Sequence, residues 1–225
     1  MKFFVIEGLD GSGKSTQIDL LQKYFIKEGI KYKYLHFPRT DSPVFGELIA
    51  RFLRGELGDI NSVNPYLVAL IYGGDRKDAA QMINEWLNDG YLVMLDRYVH
   101  SNIAFQCAKF SDKTEMEKLK NWINHLEYDY NKIPKPDLSL FLDVPLSFTK
   151  KKLSQQRSGA DRDYLLGAKD IHEKDINFQE KVRKMYLWQT SEEKDFRLLN
   201  CSDENGEMLP PNVIFSHILE SLKIK

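Results

Sequence analysis

A glycine-rich segment between a predicted strand and a predicted helix constrains this chain most. Residues 8–15 read Gly-Leu-Asp-Gly-Ser-Gly-Lys-Ser and match the pattern G-x-x-x-x-G-K-[ST]. The apolar run 3–6 before it predicts a buried strand, and residues 15–21 after it predict the first turns of an amphipathic helix. Glycines leave backbone N–H groups free to surround a phosphate, and the helix N-terminus adds its dipole. The segment therefore predicts a phosphate-binding loop, in which Lys14 neutralises the outer phosphates and Ser15 ligates Mg²⁺.

The apolar pattern of the whole chain predicts strands that alternate with helices. The predicted strands are 2–7, 34–37, 91–95, 138–142 and 196–199, and the predicted helices are 14–28, 43–55, 64–88, 99–109, 113–128, 146–155, 170–191 and 211–223. This order predicts an α/β fold, with a five-stranded parallel sheet flanked by helices on both faces. A length of 225 residues favours a single domain over 1–225. A polar, glycine-bearing stretch predicts a short flexible lid at about 154–169.

Composition and charge narrow the expected partners and location. The 32 basic and 33 acidic residues nearly cancel, so bulk charge favours neither nucleic acid nor a membrane as partner. No apolar run approaches the roughly 18 residues of a membrane span, and the chain begins directly with a strand, so we expect a cytoplasmic protein. Cys107 and Cys201 lie far apart without metal-ligand spacing, which predicts two reduced thiols.

A second group of polar residues follows the third predicted strand. Asp96, Arg97 and Tyr98 come directly after the buried run 91–95. A carboxylate at this end of a strand beside a phosphate loop predicts a magnesium-binding or water-orienting acid. The Arg97 guanidinium offers two parallel donors to a phosphoryl group. The alternative is an ordinary strand end with a solvated Asp–Arg pair.

Three weaker signals leave two explanations each. The tripeptide 37–39, Phe-Pro-Arg, follows a strand's carboxyl end. It indicates either an arginine fixed as a donor over the binding edge of the sheet or a plain turn with an exposed arginine. Gly73 and Gly74 inside a helical run indicate either a flat ligand, stacked on Tyr72 and read by Arg76, or tight helix packing. Two lid arginines at 157 and 162 indicate either charge supplied on closure or a solvated charge run.

Together these motifs resemble the thymidylate kinase family, P-loop enzymes that phosphorylate dTMP to dTDP with ATP and Mg²⁺. The resemblance covers nearly the whole chain. It rests on residues 6–16, 37–39, Tyr72 with Arg76, 95–105 and 136–143. A lone Gly-Lys-Ser indicates only a nucleotide, whereas the order and spacing of the other motifs indicate the family.

The resemblance implies a role for each matching position. Lys14 would act on the transferring phosphate, Asp10 would face the 3′-hydroxyl of the dTMP sugar, and Arg39 and Arg97 would grip its phosphate. Tyr72 would stack on thymine, Arg76 would read its carbonyl, and Asn102 and Phe105 would form further pocket walls. Glu173, on the predicted helix after the lid, resembles a family acid near the phosphates. The implied ATP site comprises Gly8, Asp10, Gly11, Ser12, Gly13, Lys14, Ser15 and Thr16, and the expected Mg²⁺ ligands are Ser15 and Asp96. The implied dTMP site comprises Asp10, Phe37, Arg39, Tyr72, Arg76, Arg97, Asn102 and Phe105. The expected catalytic residues are Asp10, Lys14, Arg97, Arg157 and Arg162.

Two departures from the family pattern affect these expectations. Tyr72 replaces the usual phenylalanine beside the base, which loosens the prediction of thymine selectivity. Gly11 stands where one branch carries a transfer-assisting arginine, which favours a branch that uses lid arginines such as Arg157 and Arg162. The resemblance also implies a homodimer, for which the apolar helices 64–88 and 99–109 are candidate interfaces.

Three rival functions stay open on the sequence. A deoxynucleoside kinase shares the sheet and loop but needs a carboxylate base, and paired arginines for an acceptor phosphate argue against it. Another nucleoside monophosphate kinase, for uridylate or deoxyguanylate, differs at only a few pocket residues. A nucleotide-dependent switch module would carry Asn-Lys-x-Asp, and the run here is Asn131-Lys132-Ile133-Pro134.

Overall fold

Five parallel strands form one sheet in the computed structural model, which describes residues 1–155, 160–168, 170–173 and 175–224. The strands are β1 (Phe3–Gly8), β2 (Tyr32–His36), β3 (Leu92–Asp96), β4 (Leu138–Asp143) and β5 (Phe196–Asn200). Their order is β2-β3-β1-β4-β5, and every neighbouring pair is parallel. The predicted five-stranded parallel sheet is confirmed, and each predicted strand overlaps an observed one.

Helices cover both faces of the sheet. They are α1 (Lys14–Lys27), α2 (Phe45–Leu53), α3 (Pro65–Asn88), α4 (Val99–Cys107), α5 (Lys113–Asn124), α6 (Leu146–Ser154), α7 (Ile176–Glu192) and α8 (Pro211–Leu222). A π-helical segment (His125–Tyr130) continues α5, and a 3₁₀ helix (Ala160–Leu165) follows α6. Among the described helices, none is both long and apolar enough to cross a membrane.

The largest error in the predicted helix boundaries is at the start of α7. The predicted helix 170–191 begins only at Ile176, because the Asp175 side chain accepts a hydrogen bond from the Asn177 N–H at 2.8 Å and caps the helix there. Residues 171–173 form a turn before it, so Glu173 precedes α7 instead of lying on it. The apolar residues that extended the predicted helix, such as Ile171, are buried in the turn.

Alternating side chains of β1 build the two halves of the core. Phe3 and Val5 pack with residues of α3, α4 and α5 on one face, whereas Phe4 and Ile6 pack with residues of α1 and α8 on the other. Since all strands run in one direction, their carboxyl ends meet at one edge. Ile6 and His36 both pair with Asp96 there, so the loop after β1 lies beside the end of β3.

Packing explains the two glycines in α3. A Cβ at Gly74 would lie 2.2 Å from the Phe45 ring, which presses on the helix there. A Cβ at Gly73 would lie 3.0 Å from the Leu126 side chain and 3.4 Å from the Glu127 carboxylate. Of the two explanations left open by the sequence, the structure favours close packing against α2 and the π-helical segment over close approach of a ligand.

Candidate active site

One cavity of about 1270 Å³ opens at the carboxyl edge of the sheet. It is lined by the glycine-rich loop, the ends of β2 and β3, one side of α3 and α4, and residues within and next to the segment predicted as a lid. The cavity brings together these predicted site residues: Asp10, Gly11, Ser12, Gly13, Lys14, Ser15, Thr16, Phe37, Arg39, Tyr72, Arg76, Asp96, Arg97, Asn102 and Phe105. Gly8 ends β1 just before the loop. Arg157 lies outside the described residues, and Arg162 is described only by its place in the 3₁₀ helix.

The loop turns into α1 through a left-handed glycine. Gly13 is the N-cap of α1 with φ of 83°, a conformation that costs glycine little and other residues more. The next residue, Lys14, opens the helix and is buried. Its Nζ donates to the carbonyl oxygens of Gly8 at 3.4 Å and Leu9 at 3.1 Å, so the ammonium lies across the mouth of the loop.

Lys14 faces a buried carboxylate at the end of β3. Its Nζ lies 4.0 Å from Oδ1 of Asp96, and His36 Nδ1 lies 3.3 Å from the other carboxylate oxygen. Burial raises the pKa of Asp96, but the Lys14 charge and the His36 hydrogen bond outweigh it and hold the pKa at about 2. Burial and the Arg97 charge lower the pKa of Lys14 to about 8. Asp96 Oδ1 has no hydrogen-bond partner among the described residues.

Asp10 connects the two halves of the cavity, one formed by the glycine-rich loop and the other by Arg39, Tyr72, Arg76 and Arg97. Its Oδ1 accepts from Arg97 Nη2 at 2.6 Å, and its Oδ2 accepts from Gln179 Nε2 at 2.8 Å. Burial raises the pKa of Asp10, but the charges of Arg97 and Lys14 outweigh it, and the pKa is lowered. Asp10 is therefore an ionised carboxylate at the meeting point of the two halves.

A buried network holds Arg97 at the end of β3. Arg97 has φ of 67°, and its Nη1 donates to Ser101 Oγ at 3.1 Å and to the Tyr186 hydroxyl at 3.3 Å. Glu7, fully buried in β1, accepts from the Ser101 hydroxyl at 2.5 Å and the Tyr186 hydroxyl at 3.1 Å. Burial lowers the pKa of Arg97, but Asp10 and the other acidic groups outweigh it and raise the pKa, so the guanidinium stays charged.

Arg39 is fixed by one acid of α3. Asp75, which is buried, accepts from the Arg39 backbone N–H at 2.9 Å and from its Nε at 2.8 Å. Arg39 Nη2 donates to the Asp75 carbonyl oxygen at 2.7 Å. The Phe37 ring is also buried and packs 5.7 Å from the Tyr98 ring, so Phe37 anchors this turn in the core.

Tyr72, Arg76, Asn102 and Phe105 surround one end of the cavity. Burial raises the pKa of Tyr72 well above its usual value, so its hydroxyl stays neutral. Arg76 is almost fully buried and pairs with Glu127. The Phe105 ring lies 4.8 Å from the His172 ring and 5.1 Å from the Arg97 guanidinium carbon.

The turn after the 3₁₀ helix is tied to α2 and closes one side of the cavity. Arg54 Nη1 donates to the Tyr164 carbonyl oxygen at 2.7 Å, and the Ile171 N–H donates to the Leu53 carbonyl oxygen at 3.0 Å. The Tyr164 hydroxyl donates to Asp170 at 2.9 Å. Glu173 lines the cavity beside this turn.

Asp170 makes the stability of the fold depend on pH. Burial raises its pKa from 3.8 to about 7, so it keeps a proton in the folded state that the unfolded chain has lost. The free energy of unfolding then falls as pH rises from about 4 to 7. The variant Asp170→Asn cannot ionise. We therefore expect its free energy of unfolding, relative to that of the wild type, to rise by about 2 kcal/mol between pH 5 and pH 7, since the linkage is about 1.4 kcal/mol per pH unit.

Urea unfolding at the two pH values measures this change, and the exposed Asp163→Asn is the matched control. A difference between Asp170→Asn and the wild type that does not vary with pH would remove Asp170 as its source.

Sequence reasoning missed the residues that support the site. Four of them, Asp75, Glu127, Gln179 and Tyr186, hydrogen-bond a predicted site residue from a distant part of the chain, and Glu7 bonds Ser101 and Tyr186, which in turn hold Arg97. A signal existed for Glu7, because a carboxylate inside the otherwise apolar run 3–8 needs buried partners. No local motif marks Gln179 or Tyr186.

The fold and the cavity define the class of protein. A parallel sheet, a glycine-rich loop of the phosphate-binding pattern after its first strand, and a cavity at its carboxyl edge lined by Lys14, Arg39 and Arg97 are the arrangement of a P-loop kinase.

Comparison with known proteins gives the family. The family model for thymidylate kinase matches residues 6–208. The thymidylate kinase of Mycobacterium tuberculosis is 34% identical over 182 residues, 80% of this chain and 82% of that protein, and the thymidylate kinase of Plasmodium falciparum is 31% identical over 185 residues, 82% and 75%. The solved thymidylate kinase of Candida albicans matches with a TM-score of 0.70 at 27% identity, over 99% of this chain and 92% of that one. The chain belongs to the thymidylate kinase family, and it is a phosphotransferase that acts on dTMP, as its sequence predicted.

Proposed function

We propose that each half of the cavity binds one substrate: the loop binds the ATP phosphates, and the side with Arg39 and Arg97 binds dTMP. The enzyme transfers the terminal phosphate of ATP to dTMP and releases dTDP and ADP. The division rests on one observation: Asp10 and Arg97 join the halves in a charged contact of 2.6 Å, with Lys14 on one side and Arg39 on the other.

The donor half offers backbone N–H groups, the Lys14 ammonium and exposed hydroxyls of Ser15 and Thr16. We propose that Lys14 exchanges its two loop carbonyls for phosphate oxygens when ATP binds, because a charged acceptor gives the stronger hydrogen bond. The residues fit Mg²⁺, since Asp96 is ionised and its Oδ1 lacks a hydrogen-bond partner among the described residues. Ser15 and Asp96 would hold the ion, which supplies positive charge to phosphate oxygens.

The acceptor half offers charge at one end and a ring at the other. Arg97 and Arg39 are each held rigid by a carboxylate, which leaves donor atoms for the dTMP phosphate. Tyr72 gives a stacking face to the base, and Arg76 with Asn102 gives polar groups to its edge. Phe105 would lie along the sugar, where an apolar ring disfavours a 2′-hydroxyl.

The reaction then needs alignment and charge neutralisation more than proton transfer. The acceptor phosphate is already ionised and attacks the terminal phosphorus of ATP in line, without a general base. Lys14 and Arg97 share the charge that develops at the meeting point of the two halves. We keep Arg157 and Arg162 as proposed further cations, because Gly11 leaves the loop without an arginine of its own.

An acceptor screen tests this assignment. Wild-type enzyme with ATP and Mg²⁺ is offered dTMP, dUMP, dCMP, dGMP, UMP and thymidine, and ADP release is followed in a coupled assay. We expect dTMP to give the highest kcat/KM and thymidine to give none, because the arginines need a phosphate. Transfer to thymidine would indicate a deoxynucleoside kinase instead, and no transfer to any acceptor, together with tight GTP binding in a separate titration, would indicate a switch module.

We also propose that the enzyme is a homodimer that associates through the outer face of α3. Leu67 and Leu70, one turn apart, are 58% and 45% exposed. The other candidate interface, 99–109, is excluded as an accessible surface, because α4 is buried under α3, α5 and α7. The cytoplasmic location stays a prediction from the sequence.

Charge on this face of α3 is expected to break the dimer. The double variant Leu67→Glu and Leu70→Glu should sediment as a monomer at concentrations where the wild type is dimeric, because the carboxylates cannot be buried without partners. The matched control is Leu198→Glu, an exposed apolar residue on β5. A wild type that sediments as a monomer, or a double variant that stays dimeric, would contradict the proposed interface.

A further inference from the structure

We propose that Glu127 is a positioning residue that fixes which edge of a base the enzyme accepts. The inference rests on the proposed function, in which Arg76 and Asn102 face the base. Glu127 would hold both side chains, and it would set selectivity through Asn102, whose amide oxygen it keeps turned as an acceptor beside the donor Arg76. It would therefore determine the selection of thymine over cytosine.

Glu127 is fully buried, and one of its oxygens serves both side chains. Oε1 accepts from Arg76 Nε at 3.0 Å, from Arg76 Nη2, and from Asn102 Nδ2 at 3.2 Å. Asn102 Nδ2 donates a second hydrogen bond to the Ala69 carbonyl oxygen at 3.1 Å. Both hydrogens of the Asn102 amide group are thus directed away from the cavity.

This arrangement leaves only one orientation for the Asn102 amide. A flipped amide would point its oxygen at the Glu127 carboxylate and the Ala69 carbonyl, which are both acceptors, and would lose both hydrogen bonds. Oδ1 is instead buried without a hydrogen-bond partner among the described residues, on a side chain that lines the cavity. Asn102 therefore offers an acceptor to a bound base.

Arg76 offers a donor beside it. Its Nε and Nη2 are taken by Glu127, and Nη1 has no hydrogen-bond partner within the part of the chain that the structure describes. Since an arginine cannot accept a hydrogen bond, this end of the pocket presents a donor and an acceptor in a fixed order.

The order matches one pyrimidine edge and opposes the other. Thymine and uracil carry a carbonyl oxygen, an acceptor, next to the N3–H donor. Cytosine carries an amino donor next to the N3 acceptor, so both of its groups would meet like partners. A site whose buried polar groups stay unpaired rejects the wrong ligand strongly. Without Glu127 the Asn102 amide could adopt either orientation and accept either base, and Glu127 permits only one.

The fold builds a place for this acid. Glu127 lies in the π-helical segment 125–130, and such segments often mark functional sites. Gly73 of α3 packs directly against this segment, since a Cβ there would lie 3.0 Å from the Leu126 side chain and 3.4 Å from Glu127 Oε1. Asn131 Nδ2 donates to the Gly73 carbonyl oxygen at 3.3 Å and fixes the segment against α3.

A double-mutant cycle on selectivity tests the inference. The ratio of kcat/KM for dTMP to that for dCMP is measured in wild type, Glu127→Gln, Asn102→Ala and the double variant. A glutamine at 127 can donate to Asn102 Oδ1, which permits the flipped amide, so we expect the ratio to fall at least tenfold. In the Asn102→Ala background the same change at 127 should alter the ratio less than twofold, whereas a merely structural role would act in both backgrounds.

A second variant keeps the test decisive if Glu127→Gln does not fold. Thermal unfolding first establishes that each variant is folded, because Glu127→Gln leaves the buried Arg76 without its counter-charge. If it is unfolded, Glu127→Asp replaces it, since the shorter acid keeps the charge but withdraws from Asn102, and the ratio should still fall several-fold. An unchanged KM for ATP checks that the donor half is intact.

The outcomes separate this inference from the proposed function. A wild type that does not phosphorylate dTMP would overturn both. A wild type that does, together with a folded Glu127 variant whose selectivity is within twofold of it, would overturn this inference alone. So would an equal loss of selectivity in the two backgrounds at position 102.

Discussion

Replacing Lys14 with alanine is expected to lower kcat at least a hundredfold. The Lys14 ammonium is preorganised, because it lies buried at the mouth of the loop, 3.1 Å from the Leu9 carbonyl oxygen and 4.0 Å from Asp96. Removing one such donor from the developing charge of phosphoryl transfer costs about 3 kcal/mol in the transition state. Because Lys14 is buried at the loop before ATP binds and exchanges its carbonyl partners for phosphate oxygens on binding, the cation needs little reorganisation during the transfer itself.

Steady-state turnover with saturating ATP and dTMP measures the effect. Lys23→Ala is the matched control, since Lys23 lies exposed on the same helix, and its kcat should stay within twofold of the wild type. Burial lowers the pKa of Lys14 to about 8, so its charge depends on its neighbours. We therefore expect Asp96→Asn to weaken catalysis as well, while near-normal turnover of Lys14→Ala would remove the lysine from the mechanism.

The parts of the site that could be predicted from the sequence are those encoded locally. The loop is one contiguous pattern, and Asp96 and Arg97 directly follow an apolar run, so the parallel sheet brings their ends to one edge. The helix predicted over 64–88 is likewise observed as α3, Pro65–Asn88, with Asn64 as its cap and Pro65 as its first residue. Local patterns of this kind need no knowledge of the partners across the fold.

The residues that hold the site side chains in place could not be predicted, because they pair with residues far away in the sequence. Asp10 bonds Gln179 across 169 positions, and Glu7 bonds Tyr186 across 179. The start of α7 was missed for a different reason, since the buried Ile171 gave a turn the apolar pattern of a helix. The support of Arg76 belongs to the same group: Arg76 was marked by its spacing from Tyr72, but its partner Glu127, 51 positions away, was not.

Arg97→Met is expected to lower kcat/KM for dTMP by about a thousandfold. The change removes the guanidinium proposed to hold the acceptor phosphate, and it leaves Asp10 without its 2.6 Å partner beside the transferring group. Removing one preorganised donor from the developing charge costs about 2.7–4 kcal/mol in the transition state, and a thousandfold loss corresponds to about 4 kcal/mol. Arg97→Lys should recover only part of the loss, because an ammonium cannot reach Asp10, Ser101 and Tyr186 at once.

Binding of thymidine distinguishes this role from general damage. Thymidine lacks the phosphate, so its affinity in Arg97→Met should fall far less than that of dTMP, as measured by calorimetry on both ligands. Arg183→Met is the matched control, because Arg183 forms an equally close pair with Asp143, at 2.5 and 2.7 Å, but does not line the cavity. Equal losses for dTMP and thymidine would show that Arg97 supports the pocket as a whole, and the phosphate would then have to be held by Arg39, the one other arginine that the described structure places at that end.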